Sequence, residues 1–113
     1  MVNLEALNAD VLVPRMVSTA TGIAGPLWAD IKTTATHEFK VLASRIREIG
    51  SVVRDGELSK TSARILLRMA RRNLIATVAM LTVMVDAAVQ KLVNGVMSEL
   101  KNHINSAIGF SLV

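Results

Sequence analysis

The twelve residues from Leu74 to Val85, LIATVAMLTVMV, contain no charged side chain, and Thr77 and Thr82 are their only polar members. Successive side chains leave an α-helix at intervals of about 100°, so in a helix of this composition they would be apolar on every side. A helix that is apolar all round must be buried all round. This segment, the apolar belt, therefore constrains the fold strongly, because the molecule has to surround it.

The composition favours a single helical domain. Of the 113 residues 51% are apolar but only 3% are aromatic, so Ala, Val, Ile, Leu and Met supply the core volume. This set suits close packing of helix on helix, and a chain of this length can form one modest core. The chain has no cysteine, which excludes disulfides and thiolate metal sites.

A first long helix, helix A, is predicted from Pro26 onward. Its apolar residues recur at spacings of three and four and form one stripe: Trp28, Ile31, Ala35, Phe39, Leu42, Ile46 and Ile49. Polar residues are expected opposite: Thr33, His37, Lys40, Ser44 and Arg47. This pattern is typical of an amphipathic helix with one buried face, ending near Gly50 or running on through Val53.

A tight turn and a second helix, helix B, come next. Asp55-Gly56 is a turn signal and Ser59 is a candidate N-cap, so helices A and B are expected to be antiparallel neighbours. Helix B meets no strong breaker before Gly95, where it either breaks or continues into an assembly. The predicted fold is all-α: an antiparallel helical hairpin with a long C-terminal helix, associating into a helical bundle.

Residues 1–26 are predicted to form an N-terminal arm or a short helix, because Pro14 should stop its apolar segment and Gly25-Pro26 should separate it from helix A. Residues 27–113 then form a helical hairpin oligomerisation domain. The N-terminus has no basic segment before an apolar run, so no secretory signal is expected. The predicted location is cytoplasmic, with a virion or a membrane surface as alternatives.

Helix A has only one apolar face, so it can cover only one side of the apolar belt. The missing contacts must come from other copies of the chain or from lipid. A membrane span needs about 20 apolar residues, whereas the belt has twelve and is followed by Asp86, so we favour self-association. The predicted oligomer interface comprises Leu74, Val78, Leu81, Val85, Asp86, Val89 and Leu92.

Asp86, directly after the belt, has two interpretations. As a buried polar residue it would fix the register of an assembly, or pair with Lys91 or with an arginine of another chain. As an exposed residue it would mark only the end of the belt, since unpaired charges are rarely buried.

Positive charge is concentrated just before the belt. Residues 40–72 contain nine Lys or Arg and three acidic residues, whereas residues 73–98 contain one basic and one acidic residue. Because arginine forks bind phosphate oxygens, the basic stripe of helix B is a candidate face for anionic lipid or nucleic acid. Alternatively it is a solvated face that pairs with acids of the hairpin: Glu38, Glu48, Asp55 and Glu57. The predicted anion-binding residues are Lys60, Arg64, Arg68, Arg71 and Arg72.

No catalytic, cofactor or metal site is predicted. The glycines are scattered singly, without a phosphate-binding array. Glu99 and His103 lack the Glu-x-x-His spacing of a bundle di-iron site and are expected to be a surface pair. The methionines of the helices are expected to fill the core: Met69, Met80, Met84 and Met97.

The predicted function is structural, and no enzyme activity is expected. The chain would be a self-associating subunit of a homo-oligomeric scaffold, shell, filament or virion component. A membrane-associated or membrane-active hairpin with an arginine-rich headgroup-binding face is the second interpretation. A nucleic-acid-binding module is the third.

Overall fold

The computed structural model describes residues 2–82 and 84–113; Met1 and Val83, the latter a member of the apolar belt, lie outside the described residues. The described residues form α1 Ala9–Ala24, α2 Trp28–Arg54, α3 Lys60–Leu81 and α4 Asp86–Ile108, with 3₁₀ turns at Glu5–Leu7 and Gly25–Leu27. They contain no strand and pack into a body of 42 × 22 × 18 Å. The predicted all-α fold is confirmed.

Helix α2 has the predicted amphipathic character. All seven residues of its apolar stripe are buried, and the five polar residues predicted opposite are exposed. Trp28 and Phe39 stack within the stripe, with ring centroids 6.4 Å apart. The helix runs on through Val53, the second of the two expected ends, and stops at Arg54, where the turn begins.

The turn between α2 and α3 forms as the sequence predicts. Gly56 has a φ of 75°, a conformation that glycine adopts without steric cost. Ser59 is the N-cap of α3, and its hydroxyl accepts a hydrogen bond from the backbone N–H of Ser62 at 3.1 Å. The two helices consequently pack against each other as a hairpin.

The break in helix B lies elsewhere than expected. Helix α3 ends at Leu81 and α4 begins at Asp86, whereas Gly95 lies inside α4. The Thr82 hydroxyl donates to the carbonyl oxygen of Val78 at 2.6 Å and accepts from the N–H of Met84 at 3.3 Å. This threonine side chain thus competes with the next helical turn for backbone hydrogen bonds.

The N-terminal segment is helical and does not stop at Pro14, which lies within α1. Helix α1 packs against α2 and α4, and its buried residues belong to the same core as those of the other helices. Two hydrogen bonds fix the preceding segment to α4: the N–H of Asn3 donates to Ala107 O at 2.7 Å, and His103 Nε2 donates to Ala6 O at 2.8 Å.

None of the helices in the described part of the chain combines the length and the apolarity that crossing a membrane would require.

Candidate functional site

The predicted oligomer interface is divided between the core and the surface of the molecule. Leu74, Val78, Val89 and Leu92 are each at most 3% exposed and belong to the chain's own core. In this conformation almost none of their side-chain surface is accessible to a second copy, and their assignment to an interface stays a prediction.

These residues are buried because the chain turns between α3 and α4. Helix α4 folds back and packs against α3, α2 packs against another side of α3, and α1 packs against both α2 and α4. The sequence predicts that the apolar belt needs a second copy only if helix A is the one helix of the same chain that packs against it. Three residues of the apolar belt, Leu74, Val78 and Met84, are therefore buried without a partner, whereas Ala76, Met80, Leu81 and Val85 are exposed.

The rest of the predicted interface is at the surface, near the corner between α3 and α4. Leu81 is 61% exposed and Val85 is 70% exposed, and Met80 beside them is 80% exposed. Asp86 is exposed as the first residue of α4, and its carboxylate accepts a hydrogen bond from Gln90 Nε2 at 2.8 Å. Within the single chain Asp86 is thus an exposed residue and not a buried one.

The outer side of α3 carries large apolar residues that the sequence reasoning missed. Ile65, Leu66 and Met69 are exposed, and so is Val41 of the neighbouring α2. Together with Met80 these three α3 residues form the α3 apolar face. The sequence did contain an indication of this face, because apolar residues occur on two sides of α3. Leu67 and Leu74 lie on the side that faces the core, whereas the residues of the α3 apolar face lie on the other side.

A groove between α2 and α3 runs beside this face. Its α3 wall includes Leu66, Met69 and Asn73. Its α2 wall includes Glu38, Val41, Arg45 and Glu48. The exposed surface here thus combines apolar side chains with charges of both signs.

Three of the predicted anion-binding residues, Arg64, Arg68 and Arg71, line a hollow of about 200 Å³ whose other lining residues are apolar: Leu67, Met97, Leu112 and Val113. The structure thus brings these guanidinium groups to one opening with an apolar floor. Such a set can bind an anionic group and contact an apolar portion attached to it.

The remaining two basic residues, Lys60 and Arg72, are placed differently. Lys60 Nζ lies 5.5 Å from the ring centroid of Phe110 in cation–π geometry, and the guanidinium of Arg64 lies at the same distance from that ring. Arg72 is exposed and does not line the hollow. Across residues 2–82 and 84–113 no ion pair links the basic stripe to the acids of the hairpin; the pair present joins Arg54 to Asp55 at 3.2 Å.

The described part of the chain does not bring the metal-ligand candidates of the sequence together into a cluster. Among the described residues no group of three or more histidine and carboxylate side chains is placed to hold a metal ion. His103 is bonded to Ala6 O. Of the methionines expected in the core, Met84 and Met97 are buried, but Met69 and Met80 are exposed, which corrects that expectation for these two.

Two candidate surfaces result: the α3 apolar face and the arginine-lined hollow. Comparison with protein-family models, with curated proteins and with solved structures finds no match for this chain.

Proposed function

We propose that the protein is a structural, self-associating helical subunit of a homo-oligomeric assembly, and that it associates through the α3 apolar face. The observation that carries this proposal is the exposure of Ile65, Leu66, Met69 and Met80 along one side of a single helix. Contiguous exposed apolar surface of this kind marks an interaction site. Leu81 and Val85 extend the surface at the α3–α4 corner.

The charges around the face favour a protein partner over an anionic membrane. Glu38 and Glu48 lie on the α2 wall of the groove, with Arg45 between them, and Arg72 is on α3. Interfaces between proteins have apolar centres with polar rims of both signs. The four charges named here sum to zero, so they give the face no net attraction to the anionic headgroups that attract polybasic segments.

The test is the solution mass, measured without detergent by light scattering and sedimentation across a range of protein concentrations. We expect the wild type to be oligomeric at micromolar concentration. Met69→Glu and Met80→Glu should shift the mass to that of a monomer with unchanged helical content, because both side chains are already exposed and only the partner would bury the new charge. Leu27→Glu, on a residue 41% exposed outside the face, is the matched control and should leave the mass unchanged.

A compact wild-type monomer at every concentration would refute self-association. A discrete mass would favour a closed scaffold or shell, and an open-ended distribution would favour a filament, because head-to-tail contacts that do not close continue without limit.

A second candidate function, binding to anionic lipid headgroups, is favoured by the arginine-lined hollow. Arg68→Gln combined with Arg71→Gln should reduce flotation with phosphatidylserine-containing vesicles, and neither protein should float with neutral phosphatidylcholine vesicles. Arg47→Gln, on the outer side of α2, is the control for overall charge. If the protein binds neither kind of vesicle but binds RNA or DNA with a steep salt dependence, the third interpretation, a nucleic-acid-binding module, replaces this one.

A further inference from the structure

Five residues on the outer side of α3 follow the alternating three- and four-residue spacing of a coiled-coil contact. They are Leu66, Met69, Asn73, Ala76 and Met80, and all five are exposed. In a coiled coil this spacing brings one continuous line of side chains, the a and d positions, against a partner helix. We name this line the α3 seam. It extends over two heptads, and the packing within the chain does not use it.

Asn73 is the central residue of the seam, seven residues after Leu66 and seven before Met80. In a coiled coil all three would occupy a positions, where a single buried asparagine specifies register and oligomer state. Its amide has both donors and an acceptor, and burial among apolar residues would leave them unsatisfied unless a polar group faced them. Asn73 of a second copy, at the same level, provides that group.

We propose that two copies pack α3 against α3 in parallel, around a two-fold axis that runs along the helix, with Asn73 of each chain against Asn73 of the other. This geometry rests on the proposed self-association and specifies it. Parallel packing places each seam residue opposite its own counterpart. An antiparallel contact with a positions facing d positions would place Asn73 opposite Ala76, which has no side-chain polar atom. An antiparallel contact centred on Asn73 would keep the two asparagines together, and the charges beside the seam oppose that arrangement.

The charges on the two edges of the seam also favour the parallel arrangement. One edge is formed by α2 and carries Glu38, Arg45 and Glu48, a net negative charge. The other edge is the side of α3 that carries Arg72, about a quarter turn from the seam, and Arg68, about a third of a turn from it.

The direction of the two-fold axis decides which edges meet. An axis along α3 brings the arginine edge of each copy to the α2 edge of the other. An axis across α3 at Asn73 brings the two arginine edges against each other, and like charges in contact oppose association.

Cysteine cross-linking can test this geometry directly, because the native chain has no cysteine. We expect Asn73→Cys and Met80→Cys to form covalent homodimers on mild oxidation, since each meets its own counterpart at disulfide distance. Asn102→Cys, exposed on α4, is the control and should not cross-link. In an antiparallel contact Met80→Cys would not cross-link to itself. It would cross-link to Leu66→Cys if the contact is centred on Asn73, and to Met69→Cys if a positions face d positions.

The outcomes separate this inference from the proposed function. Self-cross-linking at both positions 73 and 80, with none at 102, would support the parallel seam. Cross-linking of Met80→Cys only with Leu66→Cys or with Met69→Cys would overturn the parallel orientation. An oligomeric wild type without cross-links at any seam position would overturn the seam and leave self-association intact, whereas a monomeric wild type would overturn both.

A second measurement tests the role of the asparagine and does not depend on a disulfide. Asn73→Leu should broaden the distribution of masses seen by native mass spectrometry, because it removes the residue that specifies register while adding apolar contact. A single unchanged dimer mass in Asn73→Leu would overturn the specifying role of Asn73.

Discussion

Arg64 on α3 donates a hydrogen bond from Nε to the carbonyl oxygen of Ser111 at 2.8 Å, across 47 residues of sequence. Its guanidinium also lies 5.5 Å from the ring centroid of Phe110. An arginine that the sequence assigns to an anion-binding stripe is therefore also a connection between α3 and the segment after α4.

We predict that Arg64→Gln lowers the free energy of unfolding by about 1 kcal/mol, since it removes a charge-assisted hydrogen bond and a cation–π contact at a solvent-accessible site. Arg72→Gln, on a residue without such a contact among the described residues, should change it by less than about 0.5 kcal/mol. Urea denaturation of the two variants measures the difference. Equal effects would show that the Arg64 contacts add no net stability.

Leu74 and Leu81 both belong to the interface predicted from the sequence, but they should differ in their effect on folding. Leu74 is 3% exposed and Leu81 is 61% exposed. Leu74→Ala should destabilise the chain by about 2–5 kcal/mol, because it leaves a cavity in the core. Leu81→Ala should cost less than about 0.5 kcal/mol under conditions where the chain is monomeric. The measurement is thermal or urea unfolding at low protein concentration, and similar losses for both would contradict the placement of Leu81 at the surface.

Asp86 is expected to stabilise the folded chain through its position at the N-terminus of α4. A carboxylate in the first turn of a helix is stabilised by the helix dipole, so Asp86→Asn should reduce stability by about 0.3–1 kcal/mol, with a smaller loss in high salt. Gln90→Ala removes the hydrogen-bond donor to Asp86 while keeping the charge, and it separates the two contributions. If Asp86→Leu were instead clearly stabilising and broadened the oligomer masses, Asp86 would be buried in the assembly.

Gly95 and Ile23 should be energetically coupled. A methyl group at position 95 would collide with Ile23 Cδ1, so α1 approaches α4 closely at this glycine. In the Ile23→Ala background, Gly95→Ala should stabilise the chain by up to about 1 kcal/mol through helix propensity. In the native background the collision should remove part or all of that gain. A double-mutant cycle should show coupling of about 0.5 kcal/mol or more, and additive effects would contradict the close approach.

The sequence by itself determined the features that depend on neighbouring residues. The spacing of apolar residues fixed the buried face of α2, because side chains three and four apart lie on the same side of a helix. The Asp55-Gly56 turn and the Ser59 cap were also readable, since each depends on local backbone conformation and one short-range hydrogen bond. These local signals were sufficient to predict an all-α hairpin.

Only the tertiary structure decided which apolar residues are buried within the chain. The interruption after Leu81 depends on where α4 can pack, and the hydrogen bonds of Thr82 show no periodic signal in the sequence. Because α2 and α4 both pack on α3, Leu74 and Val78 belong to the core, whereas Leu66, Met69 and Met80 on the same helix are exposed. Hydrophobic periodicity shows that a side chain prefers to be buried, but the neighbour that buries it depends on contacts between residues distant in sequence.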